Sequence, residues 1–175
     1  MLIATERLRI RPFKSDDWKA VWAYTSNPAV MTYIPGGVQS RDDAQQFVND
    51  NLGNQAQHYA VLLKDSHQLI GHLVFHKYFG EHTYEIGWVF SPHYRNQGYA
   101  TEAARSMLKY GFEELRLHRI IATCQPENTP SYRVMEKIGM RREGFFKKCI
   151  PNGAHDWWDE YYYAILQEEW LALTC

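Results

Sequence analysis

The sequence predicts a single α/β domain, of the α+β kind, built on a mixed and mostly antiparallel central sheet with flanking helices. Three observations carry this expectation. Three β-type runs, His58-Tyr59-Ala60-Val61-Leu62-Leu63, Gln68 to His76 and Tyr84-Glu85-Ile86-Gly87-Trp88-Val89-Phe90, follow one another across short joints, the pattern of an antiparallel meander. A helical pattern, with Ala100, Ala103, Ala104, Met107, Leu108 and Phe112 at mostly three- and four-residue steps, then leads to a further strand, Arg119-Ile120-Ile121-Ala122-Thr123-Cys124. Strand, helix and strand in that order make a crossover whose two strands lie parallel. Finally, 175 residues of which 45% are hydrophobic suit one domain with a real core rather than a disordered chain.

The remaining elements fall around this centre. Leu2 to Phe13 reads as a strand, with Leu8, Ile10 and Pro12 alternating against Arg7, Arg9 and Arg11. Ser15 or Asp16 can cap a helix whose apolar stripe is Trp18, Val21 and Trp22, and Asn27-Pro28 breaks it. Met31 to Gly37 is a loop with Tyr33 and the pair Gly36-Gly37. Ser40-Arg41-Asp42-Asp43 starts a helix continued by Ala44, Phe47, Val48 and Leu52. The meander turns at Asp65-Ser66-His67 and near Gly80-Glu81. After the parallel strand, Ser131 to Lys137 is a helix with Pro130 near its start and Gly139 at its end. Arg141 to Cys149 and Trp158 to Leu166 are strands around a turn at Pro151-Asn152-Gly153, and Gln167 to Leu173 is an amphipathic tail. The sheet thus has about seven strands. No linker, repeat or low-complexity segment divides residues 1–175, so they read as one domain.

Composition narrows the function classes. Lys+Arg 19 against Asp+Glu 20 leaves a net charge of −1, without the basic excess of a nucleic-acid surface. Cys124, Cys149 and Cys175 are odd in number and far apart, so neither a disulfide framework nor a zinc spacing is visible. The eight histidines, among them His72, His76, His82 and His118, show no ligand spacing and read as structural or exposed, so no metal is expected. The N-terminus has no long apolar stretch and nothing later is expected to span a membrane, which makes a cytoplasmic, reduced protein the default. Aromatic residues near the C-terminal strands make a homodimer an expectation.

One stretch carries chemistry. Tyr94-Arg95-Asn96-Gln97-Gly98-Tyr99-Ala100-Thr101 lies between the strand ending at Phe90 and the helix that follows. The first turn of a helix has N–H groups without partners and partial positive charge, which suits a phosphate. Gly98 lets the backbone approach a ligand, Ala100 keeps the face small, Arg95 adds charge and Thr101 a hydroxyl. The same order also occurs at joints that bind nothing.

Arg95-x-x-Gly98-x-Ala100 resembles the acyl-CoA pyrophosphate loop, (Arg/Gln)-x-x-Gly-x-(Gly/Ala), of the GNAT N-acetyltransferase superfamily. Glu85-Ile86-Gly87-Trp88 looks like the strand before that loop. Asn128-Thr129-Pro130-Ser131 followed by Glu136-Lys137-Ile138-Gly139-Met140 is similar to the family's Asn-x-x-Ser…Glu-Lys-x-Gly-Phe segment. The opening Thr5-Glu6-Arg7-Leu8-x-Ile10-Arg11 looks like the start of the RimJ/RimL branch, the ribosomal-protein alanine N-acetyltransferase type. The resemblance covers nearly the whole chain.

It implies acetyl-CoA as cosubstrate and transfer of its acetyl group to a primary amine, with a protein N-terminus as the first acceptor class. A polyamine or antibiotic amine is the alternative, and a CoA-binding regulatory module without turnover is another. Strands 84–90 and 119–124 would splay apart, opening the gap where ligands enter mixed sheets. The backbone of Trp88, Val89 and Phe90 would pair with the pantetheine amides. Arg95, Asn96, Gln97, Gly98, Tyr99, Ala100 and Thr101 would hold the pyrophosphate. Asn128 would bond the pantetheine arm or cap its helix. Glu85 is the candidate base, or a solvated strand carboxylate. A backbone N–H near Val89 or Phe90 would stabilise the oxyanion. Ser131, or its neighbour Tyr132, would protonate the departing thiolate; either could instead cap or pack, and Ser131 could simply bond the CoA sulfur. The acidic and aromatic segment from Gly153 through Ala154 and Trp157 to Glu160, with Tyr33, would seat an amine on aromatic faces.

Overall fold

The computed structural model describes residues 1–53, 56–153 and 155–174. Ala154 and Cys175, which belong to the acidic segment and the cysteine set above, lie outside the described residues. One sheet of eight strands runs through the domain in the order β1-β2-β3-β4-β5-β6-β8-β7. These are β1 Ile3–Ala4, β2 Leu8–Pro12, β3 His58–Leu63, β4 Leu69–Phe79, β5 Thr83–Phe90, β6 Arg119–Cys124, β7 Arg141–Asn152 and β8 Asp156–Leu166. Every neighbouring pair is antiparallel except β5 and β6, which are parallel across a helical crossover as expected.

The eighth strand arises where one strand was expected over residues 2–13. Thr5 N–H donates to the Leu8 carbonyl at 2.9 Å and Leu8 N–H to the Thr5 hydroxyl at 2.9 Å, folding Ile3–Ala4 back onto Leu8–Pro12. The helices are α1 Trp18–Thr25, α2 Pro28–Met31, α3 Arg41–Asp50, α4 Tyr99–Lys109, α5 Thr129–Lys137 and α6 Gln167–Thr174. Asn27-Pro28 ends α1 as expected but also starts α2: Asn27 Oδ1 accepts from Ala29 N–H at 2.9 Å, with Pro28 in the first turn. Ser40 and Asp43 form a reciprocal capping box on α3.

The helices cover the sheet unequally. On the back, Met107 and Leu108 of α4, Met135 of α5 and Trp170 of α6 pack with Leu73, Ile86 and Ile120 into the larger core. On the front, Val21 and Tyr24 of α1 and Ala44 and Val48 of α3 pack over Phe13, Leu62 and Val89. Each buried aliphatic side chain contributes about 1.5–3 kcal/mol of transfer free energy. Farther across the front, His76, Glu85, Thr123, Glu160 and Tyr162 are half-buried, so this part of the face stays open. β7 is an edge strand, and Phe145 and Phe146 on it are each 49% exposed.

Candidate active site

The site begins where β5 and β6 part. Their parallel register holds for Thr83↔Arg119, Tyr84↔Ile120 and Glu85↔Ile121 and goes no farther. Beyond Glu85, β5 pairs with β4 alone, through Gly87↔Val74, Trp88↔Leu73, Val89↔His72 and Phe90↔Gly71. The other backbone edge of Trp88, Val89 and Phe90 therefore faces the gap, where an extended chain carrying amides can pair with it. Side-chain alternation packs Trp88 and Phe90 against the back core and buries Val89 in the front one, so the strand is held rigidly on both faces.

The loop after β5 delivers α4 to the same gap. Gly98 sits at the N-cap with φ 81°, a left-handed conformation that costs glycine little, and supplies no capping side chain to the amides of the first turn. Asn96 is also left-handed at φ 60°. Gln97 Nε2 donates to the His93 carbonyl at 3.2 Å, and an Arg95 guanidinium nitrogen lies 3.4 Å from the Ala29 carbonyl, reaching across to α2. Tyr99 packs on Tyr94, and Ala100 and Thr101 are half-buried in the first turn. A helix N-terminus with an uncapped, glycine-led first turn fits a pyrophosphate by geometry and by dipole.

A clamp that sequence reasoning missed holds this loop. Arg7 Nε meets Glu102 Oε2 at 2.7 Å, Arg7 N–H donates to Glu102 Oε1 at 3.0 Å and a guanidinium nitrogen donates to the Gln97 carbonyl at 2.9 Å. The Thr5 hydroxyl donates to Glu102 Oε1 at 2.6 Å, and the Arg7 guanidinium lies 4.4 Å from the Tyr99 ring centre. Burial alone would raise the Glu102 pKa; the Thr5 hydroxyl and the backbone, side chain and charge of Arg7 outweigh it and hold the pKa below its ordinary value. The opening Thr5-Glu6-Arg7 was visible as a motif, yet nothing local to it names Glu102 as its partner.

Glu85 occupies the last paired position before the gap. Its side chain is 26% exposed, with Oε2 3.6 Å from His76 Nε2 and Oε1 3.5 Å from the Thr123 hydroxyl. Burial raises its pKa above the ordinary carboxylate value; His76 pulls it down, Glu160 pushes it up and the Thr123 hydroxyl lowers it, with burial prevailing. His76, expected as structural or exposed, lies directly opposite Glu85 in the β4–β5 register.

Asn128 stands at the N-cap of α5 but makes no side-chain cap hydrogen bond, which leaves its half-buried amide available at the end of β6. Ser131 and Tyr132 diverge by one helical step. The Ser131 hydroxyl and the Tyr132 backbone face the Cys124 thiol at the end of β6 and pull its pKa down against burial. The Tyr132 ring instead packs on Tyr161 of β8 with centres 5.9 Å apart, one strand farther from the gap. Cys124 is 5% exposed and burial lifts its pKa to about 11, so it stays a thiol and packs in the back core.

Two connections border the open part of the front face. The Tyr33 carbonyl lies 3.4 Å from Gln125 Nε2, which anchors the loop after α2 to the end of β6. Met31, Ile34, Val38, Pro151 and Trp158 line a cleft of about 410 Å³ between that loop and the β7–β8 turn. Trp157 was expected against the acceptor, and here the structure differs. Thr123 contacts Glu85 and is paired with Tyr162, so by alternation Tyr162, Glu160 and Trp158 share the face of Glu85 while Trp157 turns to the other. Trp157 is 49% exposed there, and Trp158 lines the cleft. Among the described residues no cluster of three His, Cys, Asp or Glu could hold a metal, and no helix is long and apolar enough to cross a membrane.

A parallel pair that parts beside a glycine-led helix N-terminus forms a cleft suited to an anionic ligand with an extended arm, and comparison with known proteins gives the family. Residues 7–141 match the model of the acetyltransferase (GNAT) domain. The chain is 67% identical over 170 residues to the uncharacterized N-acetyltransferase YnaD of Bacillus subtilis (strain 168), spanning 97% of this chain and 99% of that one. The crystal structure of an acetyltransferase (GNAT family) from Bacillus anthracis superposes with a TM-score of 0.93 at 67% identity, over 96% of this chain and 99% of that one. Spermidine N-acetyltransferase from Vibrio cholerae, solved with CoA and spermine, shares the fold with a TM-score of 0.81 at 22% identity, over 95% of this chain and 99% of that one. The chain belongs to the GNAT family and is an N-acetyltransferase. Enzymes of this family draw their acetyl group from acetyl-CoA.

Proposed function

We propose that this enzyme transfers the acetyl group of acetyl-CoA to a primary amine, with the α-amino group of a protein N-terminus as its principal acceptor. The observation that carries the reading is Glu85: a carboxylate with a raised pKa, half-buried where β5 and β6 separate, on the face that stays open to an acceptor. Acetyl-CoA supplies the activated thioester. The attacking amine must be neutral, and an α-amino group with a pKa of ~7.7–8.0 gives up its proton more readily than a lysine at ~10.4. A base whose pKa is lifted toward neutrality takes that proton more effectively.

In this reading the edge of Trp88, Val89 and Phe90 pairs with pantetheine, and an N–H near Val89 or Phe90 stabilises the oxyanion. The amides of Gln97 to Thr101, with Asn96 and Arg95, hold the pyrophosphate, and Asn128 bonds the pantetheine arm. Ser131 is favoured over Tyr132 as the proton source for the thiolate, because the Ser131 hydroxyl faces Cys124 at the end of β6 while the Tyr132 ring is seated on Tyr161. Tyr33 and Trp158, the latter in place of Trp157, border the acceptor path. The RimJ/RimL-like branch and a cytoplasmic setting belong to the same reading and rest on the opening motif and on the free thiols Cys124 and Cys149. So does a homodimer, which the mass in solution tests.

A second acceptor class, a small polyamine, is favoured by one observation: Glu85 and Glu160 share a face and feel each other's charge. The distant spermidine enzyme of the same fold acts on such an amine. The deciding experiment is CoA release from acetyl-CoA against N-terminal peptides, polyamines, aminoglycosides and single amino acids. Turnover on peptides that collapses in Glu85→Gln supports the principal reading. Turnover confined to polyamines moves the acceptor class, and full activity of Glu85→Gln removes Glu85 as the base.

A further inference from the structure

We propose that His76 and Glu85 act as one proton-accepting dyad that receives the acceptor ammonium through both its members. The inference rests on the reading that Glu85 takes the amine proton, and adds a second group to it. His76 Nδ1 lies 2.9 Å from the Lys77 carbonyl oxygen. A carbonyl oxygen can only accept, so Nδ1 carries a proton and Nε2 of the neutral ring presents a lone pair. That lone pair faces Glu85 Oε2 at 3.6 Å, too far for a direct hydrogen bond. Two acceptors facing each other across this gap repel unless a proton lies on one of them or a donor sits in front of both.

The acceptor's ammonium is such a donor. A nitrogen in front of the pair can direct one N–H at Nε2 and another at Oε2. Both side chains are about one-quarter exposed, His76 27% and Glu85 26%, and both lie on the open front face. Cross-strand pairing of β4 with β5 places them opposite each other, and the Lys77 carbonyl holds the ring.

The proton count balances. An ammonium loses one proton to the dyad, which passes it to solvent, and the neutral nitrogen attacks the thioester carbonyl carbon. The N–C bond forms and the C–S bond breaks; the second proton leaves nitrogen and ends on the CoA sulfur. The charged and titratable groups that face the pair are His58 from β3, which feels the charge of His76, and Glu160 from β8, which feels that of Glu85; Tyr78 of the same strand packs instead on Tyr162 of β8. Glu85 is the group that pairs with the His76 ring.

The test is the pH profile of kcat/KM for wild type, His76→Gln and His76→Ala, with acetyl-CoA and whichever amine the panel selects. Loss of the histidine leaves Glu85 as the single proton acceptor, so the acid limb, which belongs to the pair in the wild type, moves from its wild-type position and kcat/KM at neutral pH falls about tenfold. Added imidazole restores part of the activity of His76→Ala. An acid limb that stays where it was, together with no rescue by imidazole, overturns the dyad. That result leaves the wider reading intact so long as Glu85→Gln is impaired. Full activity of Glu85→Gln defeats the wider reading and the dyad with it.

Discussion

Replacing Arg7 with alanine tests whether the N-terminal strands hold the CoA loop in place. The substitution removes a Glu102 ion pair at 2.7 Å, a bond to the Gln97 carbonyl at 2.9 Å and a guanidinium–ring contact at 4.4 Å with Tyr99. Arg7 is 42% exposed and Glu102 19%, so the ion pair takes the modest value of a solvent-screened one, about 0.5 kcal/mol. The charged bond to the carbonyl adds about 1 kcal/mol and the cation–π contact about 0.5 kcal/mol, for roughly 2 kcal/mol in all. In a domain of this size that lowers Tm by about 4–8 °C. Half of the loss falls on the loop itself, because the Gln97 bond is the one that orders it. About 1 kcal/mol of lost order weakens acetyl-CoA binding about fivefold. The assays are thermal melting and KM for acetyl-CoA at saturating acceptor, with kcat held within about twofold. Arg7→Lys keeps the charge without the fork and should fall between. A drop in Tm with an unchanged KM would refute the link between the clamp and the loop and leave Arg7 with a purely structural role.

Glu85→Gln should lower kcat about a hundredfold while raising Tm at neutral pH. A carboxyl whose folded pKa is raised contributes stability below its unfolded pKa and loses it as pH rises through the folded one, so the neutral amide relieves that cost at pH 7; a lower Tm would contradict this. Acid should destabilise the protein through His58, which burial and then the charge of His76 bring from 6.5 to about 4. A histidine depressed on folding costs stability as pH falls through that interval; at about 1.4 kcal/mol per pH unit the loss approaches 3 kcal/mol by pH 4. His58→Phe should shrink the difference in Tm between pH 7 and pH 5, without abolishing it because His72 is depressed as well; an unchanged difference would clear His58. Val38→Asp places a charge in the cleft beside Met31, Ile34 and Trp158 and should raise KM for acceptors with an apolar arm about tenfold relative to polar ones. Equal effects on both would mean that the cleft does not touch the acceptor.

Much of the site was legible because its signals are local. The β5 run, the loop to Gly98 and the start of α4 are contiguous, and a strand, a glycine with positive φ and a helix N-terminus each follow from a few neighbouring residues. The parallel pairing of β5 and β6 followed from the strand–helix–strand order, since such a pair needs the crossover that residues 99–114 supply, whereas their parting beyond Glu85 was implied by the family resemblance. The helix start that carries Asn128 and Ser131 was legible for the same reason.

What stayed hidden depended on contacts between distant segments and on which face of a strand looks inward. The pattern of Trp157 and Trp158 states that they point to opposite faces; only the pairing of β8 with β6, through Thr123↔Tyr162, decides that Trp158 shares the face of Glu85. A shift of one residue in register would exchange them. His76 meets Glu85 because the turn between β4 and β5 sets that register, despite an irregularity between Lys77 and Phe79. Arg7 meets Glu102 across 95 positions because β2 joins the sheet on the side where α4 packs. Composition, periodicity and the glycine loop are properties of the chain read along its length and were therefore available from the sequence. The clamp on the loop, the partner of Glu85 and the wall of the cleft beside Trp158 are properties of pairs of segments, and folding alone brings those together.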